Sequence, residues 1–138
     1  MSAAQMRRRC ASARKRSLGF LPGYKIAFNR KGSYRAGGVA SIAQSDAADR
    51  VHGVVWELEE DDIEELDRIE NPDAYRRIEV EVYLREGGTL RCQTYVAIPQ
   101  GEYIAPDPEY LEQIIAAADA EGLPRDYRNR LVAFRERL

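Results

Sequence analysis

Apolar and polar residues alternate along this chain in two rhythms, one of helical period and one of strand period. Ala3, Met6, Cys10 and Ala13 recur at helical spacing, ringed by Arg7, Arg8, Arg9, Arg14, Lys15 and Arg16. Ser2 with Gln5 three residues later reads as a capping box, so a helix is predicted to open here. Gly19 and the Pro22-Gly23 pair are expected to break it. Tyr24 to Asn29 then alternates as a strand does, with Tyr24, Ile26 and Phe28 on one face. Arg30 to Gly38 is a basic, glycine-containing loop, and Val39 to Ala43 is a short strand. After a turn at Ser45 to Asp49, the apolar, β-branched run Val51 to Leu58 predicts a buried strand.

Glu59 to Glu70 predicts a helix with acids in its first turn, where the dipole favours them, and Asn71-Pro72 stops it. Arg76 to Arg85 alternates, setting Ile78, Val80, Val82 and Leu84 against Arg77, Glu79, Glu81 and Tyr83. Glu86-Gly87-Gly88 is a hairpin turn, and Leu90 to Ile98 is the partner strand. Asp107 caps a helix that has Pro108 at its first position and ends at Gly122. A last short helix follows Pro124. The order helix, three strands, helix, two strands, two helices is an α+β arrangement. Its sheet is mostly antiparallel or mixed and able to curl into a barrel. Five strands are few for a closed barrel, so an open edge is expected, and an open edge invites homodimerisation.

The 138 residues fit one domain spanning 1–138. With 44% apolar and 32% charged residues the balance is that of a soluble globular protein. The longest apolar runs, such as Ile114 to Ala118, are too short to span a bilayer. The basic N-terminus has no apolar stretch behind it, as a signal peptide would. Two cysteines, Cys10 and Cys92, make neither a disulfide framework nor a CxxC metal site, and one histidine excludes a His-rich centre. The expectation is a cytoplasmic protein without metal or cofactor.

Charge is unevenly spread. Residues 1–50 hold 11 Lys/Arg against Asp46 and Asp49 alone, while the remainder holds 10 Lys/Arg and 21 Asp/Glu. Such a split marks either an anionic partner or two oppositely charged halves packed together. The Arg7–Arg9 and Arg14–Arg16 runs have no interleaved aromatics, so nucleic acid is not the expected partner, and a solvated helix face turned to the acidic half is preferred.

Glu70 is the most informative residue. Ile63, Leu66 and Glu70 fall at i, i+3 and i+7, which puts the carboxyl on the face that must bury itself. A buried carboxyl without a close cation has a raised pKa and suits proton transfer near neutral pH. The plain alternative is a helix-end residue turned to water or to Arg76. Tyrosine is over-used, with eight against three phenylalanines and one tryptophan. Tyr75, Tyr95 and Tyr110 stand where regular structure begins or ends, fit either to line a small polar pocket or to edge the core. Gly37-Gly38 lacks the phosphate-loop pattern, and His52 reads as a satisfied strand histidine.

Together these pieces resemble the γ-glutamylcyclotransferase-like family over nearly the whole chain. The likeness runs through Gln5-Met6-Arg7 to Cys10, Leu21-Pro22-Gly23-Tyr24, Gly37-Gly38-Val39-Ala40 and Val51-His52-Gly53-Val54-Val55-Trp56. It is sharpest at Leu66-Asp67-Arg68-Ile69-Glu70 with Tyr75-Arg76-Arg77. Thr94-Tyr95, Pro106-Asp107-Pro108-Glu109-Tyr110 and Gly122-Leu123-Pro124 complete it. The resemblance implies a mixed β-barrel with flanking helices. It implies cleavage of a small γ-glutamyl amide to 5-oxoproline and a free amine, with Glu70 as acid/base. Tyr110, Tyr75 and Tyr95 are then expected to contact substrate. In the family a first strand and a Tyr-Gly-Ser-Asn substrate loop precede the helix that begins here. By that likeness this sequence is N-terminally truncated, and the expectation is either a longer natural protein or a short form. The alternative function is a catalytically impaired module of the same fold that binds a small molecule or an anionic partner.

Overall fold

The computed structural model describes residues 3–70 and 72–138. The expected capping box at Ser2 and the helix stop at Asn71 lie outside the described residues. The chain runs α1 (Ala3–Arg9), β1 (Arg14–Pro22), β2 (Tyr24–Ala27), β3 (Ser41–Gln44), β4 (Arg50–Glu57), α2 (Glu60–Ile69), β5 (Tyr75–Leu84) and β6 (Thr89–Ala97). It closes with α3 (Pro108–Glu121), α4 (Arg125–Ala133) and a 3-10 turn over Phe134–Arg137. The α+β order is as expected, with one strand more. The predicted first helix is cut at Arg9, and its second half is β1. The apolar stripe is nevertheless buried: Cys10, Ala13 and Leu66 form one core cluster, with Met6 and Tyr95 packed against it. Tertiary pairing overrides local helical period here, because β1 sits between β4 and β5 in a four-stranded sheet of order β4-β1-β5-β6. Gly19 does not break an element. It permits β1 to lie close to β5, since a Cβ there would stand 2.7 Å from Val82 Cγ1.

A second sheet pairs β2 with β3. Every ladder among the described residues is antiparallel. The small sheet stands beside the large one: β3 packs along β6 and β2 along β4. Ala97 N donates to Ser41 Oγ at 2.9 Å across that seam. The sheet is therefore curled, but its ladders do not close into a barrel. β4 lies at the margin of its sheet and is half-buried rather than buried.

The hairpin β5–β6 follows the expected alternation, with Tyr83 paired to Thr89 across the Gly87-Gly88 turn. The main apolar core is built by Phe28 with Leu111, Ile115 and Ala118 of α3 and Tyr127 and Leu131 of α4. Asp107 accepts from Tyr110 N at 3.2 Å and so caps α3 as the sequence indicates.

The loop between β2 and β3 is clipped to the segment before α3. Gly38 N donates to Ala105 O at 2.9 Å, and Gly37 bridges Pro106. Only glycine allows this approach: a Cβ on Gly38 would lie 2.1 Å from Ile104 O. Gly38→Ala is expected to cost about 1–3 kcal/mol, the range for overpacking. Gly53→Ala, whose Cβ would meet nothing within 4 Å, should be neutral or slightly stabilising. Urea unfolding of the two variants against the parent checks the contrast.

Candidate active site

Helix α2 presents the candidate carboxylate, and both of its ends are fixed by other elements. At the N-terminus, Ser12 N donates to Asp62 Oδ2 at 2.9 Å, and Glu59 N donates to Ser12 Oγ at 3.0 Å. The Ser12 hydroxyl also donates to Asp62, and that bond, followed by the one from Ser12 N, holds the Asp62 carboxyl below the usual range. Further along, Asp67 accepts a hydrogen bond from the Tyr95 hydroxyl and pairs with Arg77 at 2.9 Å. Arg77 and Tyr95 are cross-strand partners, so Asp67 docks the helix onto the β5–β6 hairpin. Burial, followed by the Asp67 bond, drives the Tyr95 phenol pKa upward.

Glu70 is the residue immediately after α2. Its N–H donates to Leu66 O at 2.8 Å, which ends the helix. Its side chain is 19% exposed, and Arg9 Nη1 lies 3.6 Å from Oε1. That separation is an ion pair without a close hydrogen bond. Burial raises the Glu70 pKa, and Arg9 offsets only part of the rise. The negative end of the α2 dipole works in the same direction as burial. The cation beside it is Arg9, and not the Arg76 of the plain alternative.

Tyr75 opens β5 beside this carboxyl. Its phenol pKa is raised, first by burial and then by the charges of Glu70 and Tyr110, while Arg30 and Arg35 oppose the shift. Tyr110, on the first turn of α3, accepts from Ala40 N at 3.0 Å, and the Arg35 guanidinium lies 4.1 Å from its ring centre. Tyr75 thus lies within electrostatic reach of both Glu70 and Tyr110. Tyr95 is coupled to Glu70 as well, but its hydroxyl is committed to Asp67. Arg9, Arg30, Arg35 and Asp67 were not singled out as site residues in the sequence. Arg9 belonged to a basic run and Arg35 to a loop of undefined course, and only the tertiary fold shows where each arrives.

His52 packs between Phe20 and Tyr127, at 5.7 and 5.1 Å between ring centres. Burial, then Arg50 and Arg130, lowers its pKa. It is a core histidine far from this chemistry. Two hollows elsewhere do not include Glu70. One, of about 610 Å3, lies between α3 and α4 around Asp119 and Arg125, and one, of about 340 Å3, lies around Ile26, Arg50 and Leu131. Among the described residues no group of three or more His, Cys, Asp or Glu could hold a metal ion, and no helix is long and apolar enough to cross a membrane.

Residues 50–131, which carry β4, α2, the hairpin, α3 and most of α4, match the model of the AIG2-like family. The chain belongs to the AIG2-like family. Within it, the chain is 37% identical to a γ-glutamylcyclotransferase of Mus musculus over 99 residues, covering 70% of this chain and 52% of the relative. Identity to the γ-glutamylcyclotransferase of Homo sapiens is 36% over 99 residues, with the same coverage. The chain spans about half the length of the curated relatives it matches. A solved structure titled γ-glutamyl cyclotransferase superposes with a TM-score of 0.87 at 30% identity, over 96% of this chain and 80% of that one. The resemblance read from the sequence is borne out, and so is the α+β architecture it implied.

The raised Glu70 pKa carries a stability consequence of definite sign. A carboxyl whose folded pKa lies above its unfolded value contributes fully below the ordinary value, and that contribution is lost as pH rises through the folded value. Glu70→Gln removes the burial penalty. The variant is expected to melt at a higher temperature than the parent near neutral pH. The difference should shrink on acidification and vanish below the ordinary value of 4.5. Thermal melts of both proteins across that range measure it.

Proposed function

We propose that this protein catalyses the intramolecular cyclisation of a γ-glutamyl amide to 5-oxoproline, releasing a free amine, with Glu70 as general acid/base. The observation that carries this reading is a half-buried carboxyl of raised pKa, within electrostatic reach of Tyr75 and offset in part by Arg9 at 3.6 Å. The family and the names of the relatives supply the reaction class.

The chemistry needs little more from the protein. The substrate's α-amine is the nucleophile, and it is tethered at the distance that closes a five-membered ring, so proximity is built in. That amine reaches the site as an ammonium and must lose a proton. The ionised Glu70 takes it, the amine nitrogen bonds to the γ-carbonyl carbon, and an oxyanion forms. As the oxyanion collapses and the scissile C–N bond breaks, Glu70 returns the proton to the departing nitrogen and the ring nitrogen gives up its second proton, so that a neutral lactam and an ammonium leave. A pKa raised towards neutrality suits both directions, whereas a fully solvated glutamate would be a weak base for the first step. Tyr75 and Tyr110 have hydroxyls able to orient polar parts of the substrate. Tyr95 serves as a wall that fixes Asp67 and thereby α2.

The partner this reading implies is a small γ-glutamyl molecule, not nucleic acid. Four basic residues of the N-terminal segment pair with carboxylates: Arg9 with Glu70, Arg14 and Arg16 with Glu57, Lys15 with Glu121 and Arg16 also with Glu86.

The test is release of 5-oxoproline from γ-glutamyl-alanine by the purified protein. Glu70→Gln is expected to keep its circular dichroism and lose turnover by about 10²–10⁴-fold, the usual contribution of a general acid/base. Full turnover in that variant would remove Glu70 from its role. A folded parent protein that releases no 5-oxoproline would leave a binding module of the same fold.

A further inference from the structure

A γ-glutamyl group carries a carboxylate on the same carbon as the reacting amine. Any site that draws the amine to Glu70 must therefore accept an anion a few ångströms away. Three arginines surround this neighbourhood, and they are not equivalent. Arg9 faces Glu70 itself at 3.6 Å. Arg30 donates through Nη1 to Ile98 O at 3.0 Å. Arg35 makes no ion pair among the described residues, and its guanidinium lies over the Tyr110 ring at 4.1 Å. Charge here is therefore unbalanced, with Arg9 answered by Glu70 and Arg35 answered by nothing acidic among the described residues.

The position of Arg35 is set by the backbone. It stands at the tip of a loop closed on itself by the bridge between Lys31 and Gly38 and by the bond from Gly32 N to Gly37 O at 3.0 Å. The same loop is clipped at Gly37 and Gly38 to the segment that leads into α3. Among the described residues the Arg35 side chain makes no ion pair, its guanidinium carbon lies over the Tyr110 ring, and a guanidinium matches a carboxylate in a bidentate manner.

We propose that Arg35 binds the α-carboxylate of the γ-glutamyl substrate and so selects an amino-acid head group over a plain amine. This inference rests on the function proposed above. It names a substrate-binding residue that sets specificity, with no part in proton transfer.

The test compares two substrates that differ only in this carboxylate. One is γ-glutamyl-alanine. The other is 4-aminobutanoyl-alanine, which cyclises by the same bond changes to 2-pyrrolidinone. Arg35→Gln is expected to raise KM for the first by tenfold or more, with kcat within about threefold of the parent. It should leave kcat/KM for the second unchanged, and Arg35→Lys should recover part of the loss. Equal effects on both substrates would show a merely structural role, and no effect on either would show the carboxylate to be held elsewhere; both overturn the proposal while leaving the reaction itself standing. A parent protein that cyclises neither substrate overturns the functional reading and this proposal with it.

Discussion

Removing most of the water from one carboxylate, while denying it a close partner, is the constraint around which this molecule is arranged. Glu70 sits at the end of α2, on the side of that helix that also buries Leu66. A charge in that position is disfavoured by burial and by the helix dipole together, and a single arginine at 3.6 Å compensates only in part. The energetic cost is tolerated because α2 is pinned elsewhere. Ser12 grips its first turn and the Tyr95–Asp67–Arg77 contacts hold its second half against the hairpin. Were α2 free to tilt, the carboxyl would turn to water and regain its ordinary acidity.

The same residues that hold the site also explain the charge asymmetry. The basic first half and acidic second half are joined by ion pairs such as Arg9 to Glu70, Arg14 to Glu57 and, in the reverse sense, Arg130 to Asp49. Most are partly exposed and individually weak. The β1 ladders with β4 and β5 set the crossing of the N-terminal segment, and Arg9, just before β1, meets Glu70. A charge pattern that could have advertised an anionic partner is instead used within the fold.

Much of this was legible in the sequence. Strand alternation in β5 and β6, the Gly87-Gly88 turn, the Asp107-Pro108 start of α3 and the burying face of α2 are local signals, and each survives in the structure. The burial of the Glu70 side chain was legible for the same reason, since i, i+3, i+7 spacing fixes a helix face. What was not legible depends on contacts distant in sequence. β1 carries a helical apolar period, and only its two strand neighbours make it extended. Arg9 and Arg35 look like ordinary surface cations until the loop clip at Gly37-Gly38 and the crossing of the first segment are known. Tyr95 is likewise indistinguishable from Tyr75 in the sequence, yet one hydroxyl is consumed by Asp67 and the other is not.

The most direct measurement is the titration of the Glu70 carboxyl itself, followed by its 13C chemical shift in selectively labelled protein and assigned with the Gln variant. The account predicts a midpoint above the ordinary glutamate value of 4.5, moving still higher when Arg9 is replaced by Gln. A midpoint at or below that value, indifferent to Arg9, would contradict it.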